Sequence, residues 1–167
     1  MFDIFARNKL KNLNVYAPVS GHVINLTEVK DQVFASGAVG IGFGMEPTSN
    51  EILSPVDGKI VMIANTKHAI GITTKQGYEI LLHLGIDTVE LNGEPFSMYV
   101  NVGQKVKIGS KLVNMDIAKI KKANLEPTVI TLVTNAKEKA VDFELNTAGE
   151  DLLEGKIVGN IKVNKEW

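Results

Sequence analysis

Among side chains able to attack, ligate or carry a group, this chain of 167 residues offers no Cys and three His, at positions 22, 68 and 83. Without a thiol there is no disulfide, thiolate metal site or cysteine nucleophile, so any chemistry runs through nitrogen or oxygen, as suits a reducing compartment. A neutral imidazole, with an ordinary pKa of about 6.5, offers one ring nitrogen as a nucleophile while the other is held by a hydrogen bond. Two imidazoles face to face could grip one small group between them, or supply half of a tetrahedral zinc site.

The stretch from Thr66 to Asp87, T-K-H-A-I-G-I-T-T-K-Q-G-Y-E-I-L-L-H-L-G-I-D, must position His68 and His83. It reads as a β-hairpin: an Ile/Thr-rich arm from His68 to Thr74, a turn at Thr74-Lys75-Gln76-Gly77, and an Ile/Leu-rich arm from Glu79 to Ile86. If Thr73 pairs with Tyr78 across a four-residue loop, His68 falls directly opposite His83. Alternation on the second arm puts Ile80, Leu82, Leu84 and Ile86 on a core face. Glu79, Leu81, His83, Gly85 and Asp87 share the other face, so His83 points outward. In that register His68 shares its side with Ile70 and Ile72.

Eighteen basic and nineteen acidic side chains nearly cancel, which leaves no overall basic field for nucleic acid, and 44% hydrophobic residues suit a single folded domain. Residues 1–14 read as a flexible N-terminal segment and 15–167 as the domain. Met1 to Leu13 has an amphipathic look but is too short to span a bilayer and is no secretory signal. From Val15 the grammar is β, with an internal echo: A-P-V-S-G-H-V-I at Ala17 to Ile24 recurs as S-P-V-D-G-K-I-V at Ser54 to Val61. The echo suggests two similar half-sheets packed together, and His22, where Lys59 stands in the second copy, reads as a solvent-facing basic position. The glycine run from Ala35 to Gly44 lacks the following helix that a dinucleotide loop requires and reads as strand and bulge. Asp116 is expected to cap a short helix to Lys122, Pro127 to Thr134 is a strong strand, and Lys156 to Val163 a closing strand. Asn135 to Gly155 reads as charged surface or loop. The expected fold is an all-β antiparallel sandwich with internally similar halves and only short helical turns.

On these residues the chain resembles the glucose-family enzyme IIA of the bacterial phosphoenolpyruvate-dependent sugar phosphotransferase system. T-K-H-A at Thr66 to Ala69 and H-L-G-I-D-T-V-E-L at His83 to Leu91 carry the resemblance. The Pro-Val-x-Gly echoes, V-F-A at Val33 to Ala35 and Gly-Gln-Lys-Val at Gly103 to Val106 extend it. The resemblance implies a phosphocarrier. His83 would accept a phosphoryl group from the phosphocarrier histidine protein and pass it to a cysteine of the enzyme IIB domain of a sugar permease, with His68 stabilising the group. Thr66 would orient His68, the Gly85 carbonyl would orient His83, and Asp87 would stand at the rim. An apolar docking surface would fall on Val33, Phe34, Val39, Leu81, Leu84 and Val89. Some members carry phenylalanine where this chain has Ala64, Leu81 and Leu84. A monomeric cytoplasmic protein is implied, meeting the membrane transiently through the permease, with room for regulatory partners.

The chemistry fits such a role. With Nδ1–H bonded to the Gly85 carbonyl, His83 Nε2 is free for in-line attack on phosphorus, and a donor from His68 would meet charge on the equatorial oxygens. No cofactor is expected, and zinc at His68 and His83 would be weak and adventitious. A two-histidine zinc hydrolase would need a third ligand and a base, yet no His-x-His or His-Glu-x-x-His is present. A non-catalytic binding module on a β-sandwich is the other alternative.

Overall fold

A computed structural model describes residues 12–164, so most of the expected N-terminal segment lies outside the described residues. Its last members, Leu13 and Asn14, already belong to a strand, β1 (Leu13–Tyr16), where they pair with Ile161 and Asn160.

All pairings are antiparallel. The largest sheet has the order β13-β2-β3-β11-β7-β6-β5-β9, formed by β2 (Gly21–Asn25), β3 (Ile41–Pro47), β5 (Gly58–Ile63), β6 (Ala69–Thr73), β7 (Glu79–Leu84), β9 (Lys105–Val106), β11 (Val129–Val133) and β13 (Asp151–Leu152). Two three-stranded sheets complete the sandwich. One is β1-β14-β12, with β12 (Val141–Leu145) and β14 (Ile157–Val163); the other is β4-β10-β8, with β4 (Glu51–Leu53), β8 (Phe96–Met98) and β10 (Lys111–Met115). One apolar cluster draws buried side chains from all three sheets, among them Phe43, Ile70, Leu82, Leu112 and Ile161. Burial of this aliphatic and aromatic set is the main force holding the layers together.

The echoed segments become β2 and β5. Each is second from an edge of the same large sheet, so the similar halves are joined edge to edge, where β11 meets β7, rather than packed as two sheets. The region from Asn135 to Gly155 is also more structured than its charge suggests. It holds a helical turn at Ala136–Lys139 and the strands β12 and β13. Its period-two pattern, Val141, Phe143 and Leu145 against Asp142 and Glu144, was the overlooked strand signal. Asp116 caps the expected short helix by accepting from Lys119 N, and that helix runs Ile117–Lys122.

β11 is buried on both faces. Val129 and Val133 enter the main core, whereas Ile130 and Leu132 face outward into a second cluster with Val29 and Ile86. Over this cluster lie a 3-10 turn at Leu26–Glu28 and a helical turn, α1 (Gln32–Ala35), whose flanking and inner residues Leu26, Phe34 and Val39 pack on it with Leu81. This cover brings a segment remote in sequence onto the face that carries His83.

Candidate functional site

The hairpin forms, one residue out of the expected register. Thr73 pairs with Glu79, not Tyr78, and His83 stands opposite Ala69. The loop is five residues long because Thr74 N donates to Tyr78 O (2.9 Å), Gly77 N to Thr74 O (2.9 Å) and Tyr78 N to Thr74 Oγ1 (3.1 Å). Asn135, far along the chain, donates to the Gly77 carbonyl and accepts from Glu79 N. The shift turns Ile70 and Ile72 inward to full burial, so they do not flank the histidines.

His68 therefore lies just outside β6. Lys67 adopts φ +62° and its N–H donates to Ala64 O (2.8 Å), so the chain is turning and strand alternation no longer dictates where His68 points. Its carbonyl accepts from Leu84 N (2.7 Å), which ties it to the neighbour of His83. The two rings meet with centroids 5.2 Å apart at 76°. The pairing expected from the sequence is thus achieved by a turn rather than by direct cross-strand opposition.

Each ring is held at Nδ1. His83 Nδ1–H donates to the Gly85 carbonyl at 2.8 Å, which leaves Nε2 with its lone pair. His68 Nδ1 lies 2.6 Å from the Thr66 hydroxyl. Gly85 ends β7 with φ +82°, a conformation that favours glycine, and its N–H donates to Thr128 O. The break in alternation sends Ile86 to the outer cluster instead of the core face. Behind the carbonyl, fully buried Thr88 donates to Leu84 O, and its methyl would lie 2.4 Å from any Cβ at position 85.

Phe34 packs against His83 in a tilted contact, with ring centroids 4.6 Å apart at 52°. Asp31 fixes this ring by capping α1, accepting from the N–H groups of Val33 and Phe34. Burial pushes the pKa of His83 below its ordinary value, and the charge of His68 adds to this; the Gly85 bond, Asp31 and Asp87 pull the other way. Burial likewise lowers His68. Both rings are therefore neutral near pH 7, the state in which an imidazole can attack.

Thr66, His68, His83, Gly85 and Asp87 converge as expected. Asp87, at φ +61°, leads into a 3-10 turn at Thr88–Leu91. Of the expected docking residues, Val33 and Val89 are 59% and 49% exposed, and Phe34, Val39 and Leu81 are partly covered. Leu84 is not available for docking: it is completely buried in the main core, because strand alternation sends it through the sheet away from His83. Asp31 and the ring contact of Phe34 were missed. An Asp directly before Gln-Val-Phe-Ala is a helix-start signal that could have located α1. Among the described residues no group of three or more His, Cys, Asp or Glu converges as a metal site.

An antiparallel sandwich displays two half-buried imidazoles side by side, each held at Nδ1, an arrangement that leaves Nε2 of His83 free to form a bond. The sequence matches the family described as phosphoenolpyruvate-dependent sugar phosphotransferase system, EIIA 1, over residues 13–139, and the chain belongs to that family. It is 45% identical over 124 residues to the PTS system beta-glucoside-specific EIIBCA component of Bacillus subtilis (strain 168), covering 74% of this chain and 20% of that protein. The chain thus spans about a fifth of that relative's length. The solved glucose permease IIA from Mycoplasma capricolum superposes with a TM-score of 0.82 at 40% identity, covering 90% of this chain and 96% of that one.

Proposed function

We propose that His83 is the phosphoacceptor of this enzyme IIA domain, taking a phosphoryl group from the phosphocarrier histidine protein and passing it to a cysteine of an enzyme IIB domain for sugar uptake. The observation that carries this reading is the 2.8 Å bond from His83 Nδ1 to Gly85 O, which fixes the tautomer with a lone pair on Nε2. In the first step Nε2 attacks phosphorus in line and the phosphorus–nitrogen bond of the incoming carrier breaks. In the second a thiolate attacks and the bond to His83 breaks. With the Thr66 hydroxyl donating to Nδ1, His68 carries its proton on Nε2 and offers it to the phosphoryl oxygens. Phe34, Val33 and Val89 supply an apolar rim that excludes water under a docked partner and so protects the phosphohistidine. The reaction belongs in the cytoplasm, where the donor carrier resides, with transient approach to the membrane at the permease. No helix among the described residues is long and apolar enough to cross a membrane.

Metal has no part in this scheme. His68 and His83 provide two zinc ligands, the remainder falling to water or to a partner's carboxylate, so weak binding is expected and exhaustive chelation should leave transfer unchanged.

Single-turnover transfer in both directions tests the division of labour. His83→Gln should accept no phosphate. His68→Gln keeps a neutral donor and should still accept, but should pass the group on at least about tenfold more slowly, a loss of about 1.4 kcal/mol in transition-state stabilisation. Equal loss of acceptance in both folded variants would reject the assignment.

A further inference from the structure

We propose that a groove on the large sheet, remote from the histidines, binds a small phosphate monoester. It lies between β5, β9 and the β6–β7 turn, has a volume of about 620 Å³, and is lined by Lys59, Lys75, Lys105 and Lys107 around Val61 and Val106. The four lysines are scattered along the sequence, so the near-zero net charge concealed their meeting.

Three observations point to an anion. Lys59 and Lys105 are directly paired across β5 and β9, so like charges sit with Cβ atoms about 5 Å apart, an arrangement that destabilises a sheet unless something neutralises it. None of the four lysines forms an ion pair among the described residues. Two carboxylates on the surrounding elements are otherwise placed: Asp57 accepts from Ile108 N, and Glu79 lies two strands from Lys59, beyond Thr73. Protection of a sheet edge explains Lys105 on β9, the outermost strand, and Lys107 just after it, but not Lys59 on the strand within or Lys75 on the turn.

The form of the groove narrows the ligand. Its volume falls in the range of small-molecule sites, about 300–1,000 Å³. No aromatic ring lines it, so no platform exists for a nucleobase, whereas exposed Val61 offers an apolar contact to a short carbon skeleton. A dianionic phosphate on a small polyol or aliphatic body matches both halves. The same headgroup chemistry occurs on phospholipids, and the experiment separates the two sources.

Isotope-labelled protein is titrated with glycerol 3-phosphate and, separately, with inorganic phosphate, and is sedimented with phosphatidylglycerol vesicles. Glycerol 3-phosphate should shift the amides of Lys59, Lys105 and Lys107 saturably, leave the ring signals of His68 and His83 in place, and raise the thermal midpoint. It should bind more tightly than inorganic phosphate. A Lys59→Gln/Lys105→Gln variant should weaken it at least tenfold, raise the midpoint of the free protein, and still accept phosphoryl at the wild-type rate. The proposal is overturned by absence of saturation, equal affinity for inorganic phosphate, unchanged affinity in the double variant, or binding to vesicles without binding of the soluble ester. None of these outcomes bears on His83, so the groove and the phosphoacceptor stand or fall separately.

Discussion

Because burial lowers the pKa of His83 and His68, the folded protein holds fewer protons at these rings than the unfolded chain, whose imidazoles titrate at about 6.5. The linked stability is complete above that pH, declines as pH falls through it, and levels off below the depressed folded values. Urea midpoints measured from about pH 7.5 down to 5 should therefore fall more for the wild type than for His83→Gln; parallel curves would contradict the shift at His83. The same lowering keeps Nε2 unprotonated, so the rate of phosphoryl acceptance should stay level down to about pH 6.5 and drop only below it. At this scale the sequence was most readable. Residue type and the resemblance together located Thr66, His68, His83, Gly85 and Asp87. The contacts of Asp31 and of the Phe34 ring with His83 depend on where α1 is laid over the sheet, and no local pattern states that.

The tautomer of His83 depends on how β7 ends. A Cβ at Gly85 would meet the Thr88 methyl at 2.4 Å and Glu126 O at 3.1 Å, in a left-handed conformation that itself costs about 1–2 kcal/mol for other residues. Gly85→Ala should thus lose at least about 2 kcal/mol in urea unfolding, and nitrogen NMR should show His83 no longer held in the Nδ1–H form. Thr88→Val keeps the shape but removes the bond to Leu84 O, at a cost of about 1 kcal/mol, and should slow transfer more than it weakens partner binding. Wild-type transfer in a folded Thr88→Val protein would show that the bond to Leu84 O does not hold the carbonyl in place. The faces of β7 were legible from alternation, but the register was not. A one-residue change in loop length reverses every side chain on the opposite arm. The choice of a five-residue loop is made partly by Asn135, a contact across 58 positions that periodicity cannot convey.

Across the whole molecule, the proposed docking face is the outer side of a sheet whose other side is the core. Val33→Asp or Val89→Asp should raise the KM for the donor carrier about tenfold with an unchanged thermal midpoint, since both side chains are exposed. Leu84→Asp, by contrast, places a charge in the main core and should prevent stable folding. Transfer kinetics beside thermal melts distinguish the two effects. The sandwich was legible because β-branched runs, glycine turns and the two Pro-Val-x-Gly segments each speak locally. That the halves share one sheet and that four separate lysines converge are consequences of long-range pairing, which leaves no trace in local composition, whereas β12 was legible in the alternation of Val141, Phe143 and Leu145.

The central claim is that His83 carries the phosphoryl group. Incubation with phosphoenolpyruvate, the general enzyme I and the phosphocarrier histidine protein, followed by proteolysis under alkaline conditions and mass spectrometry, tests it most directly. The account predicts one acid-labile, base-stable phosphate on the peptide containing His83, attached at Nε2. Stable phosphate on a peptide containing His68 or His22 but lacking His83 would contradict it.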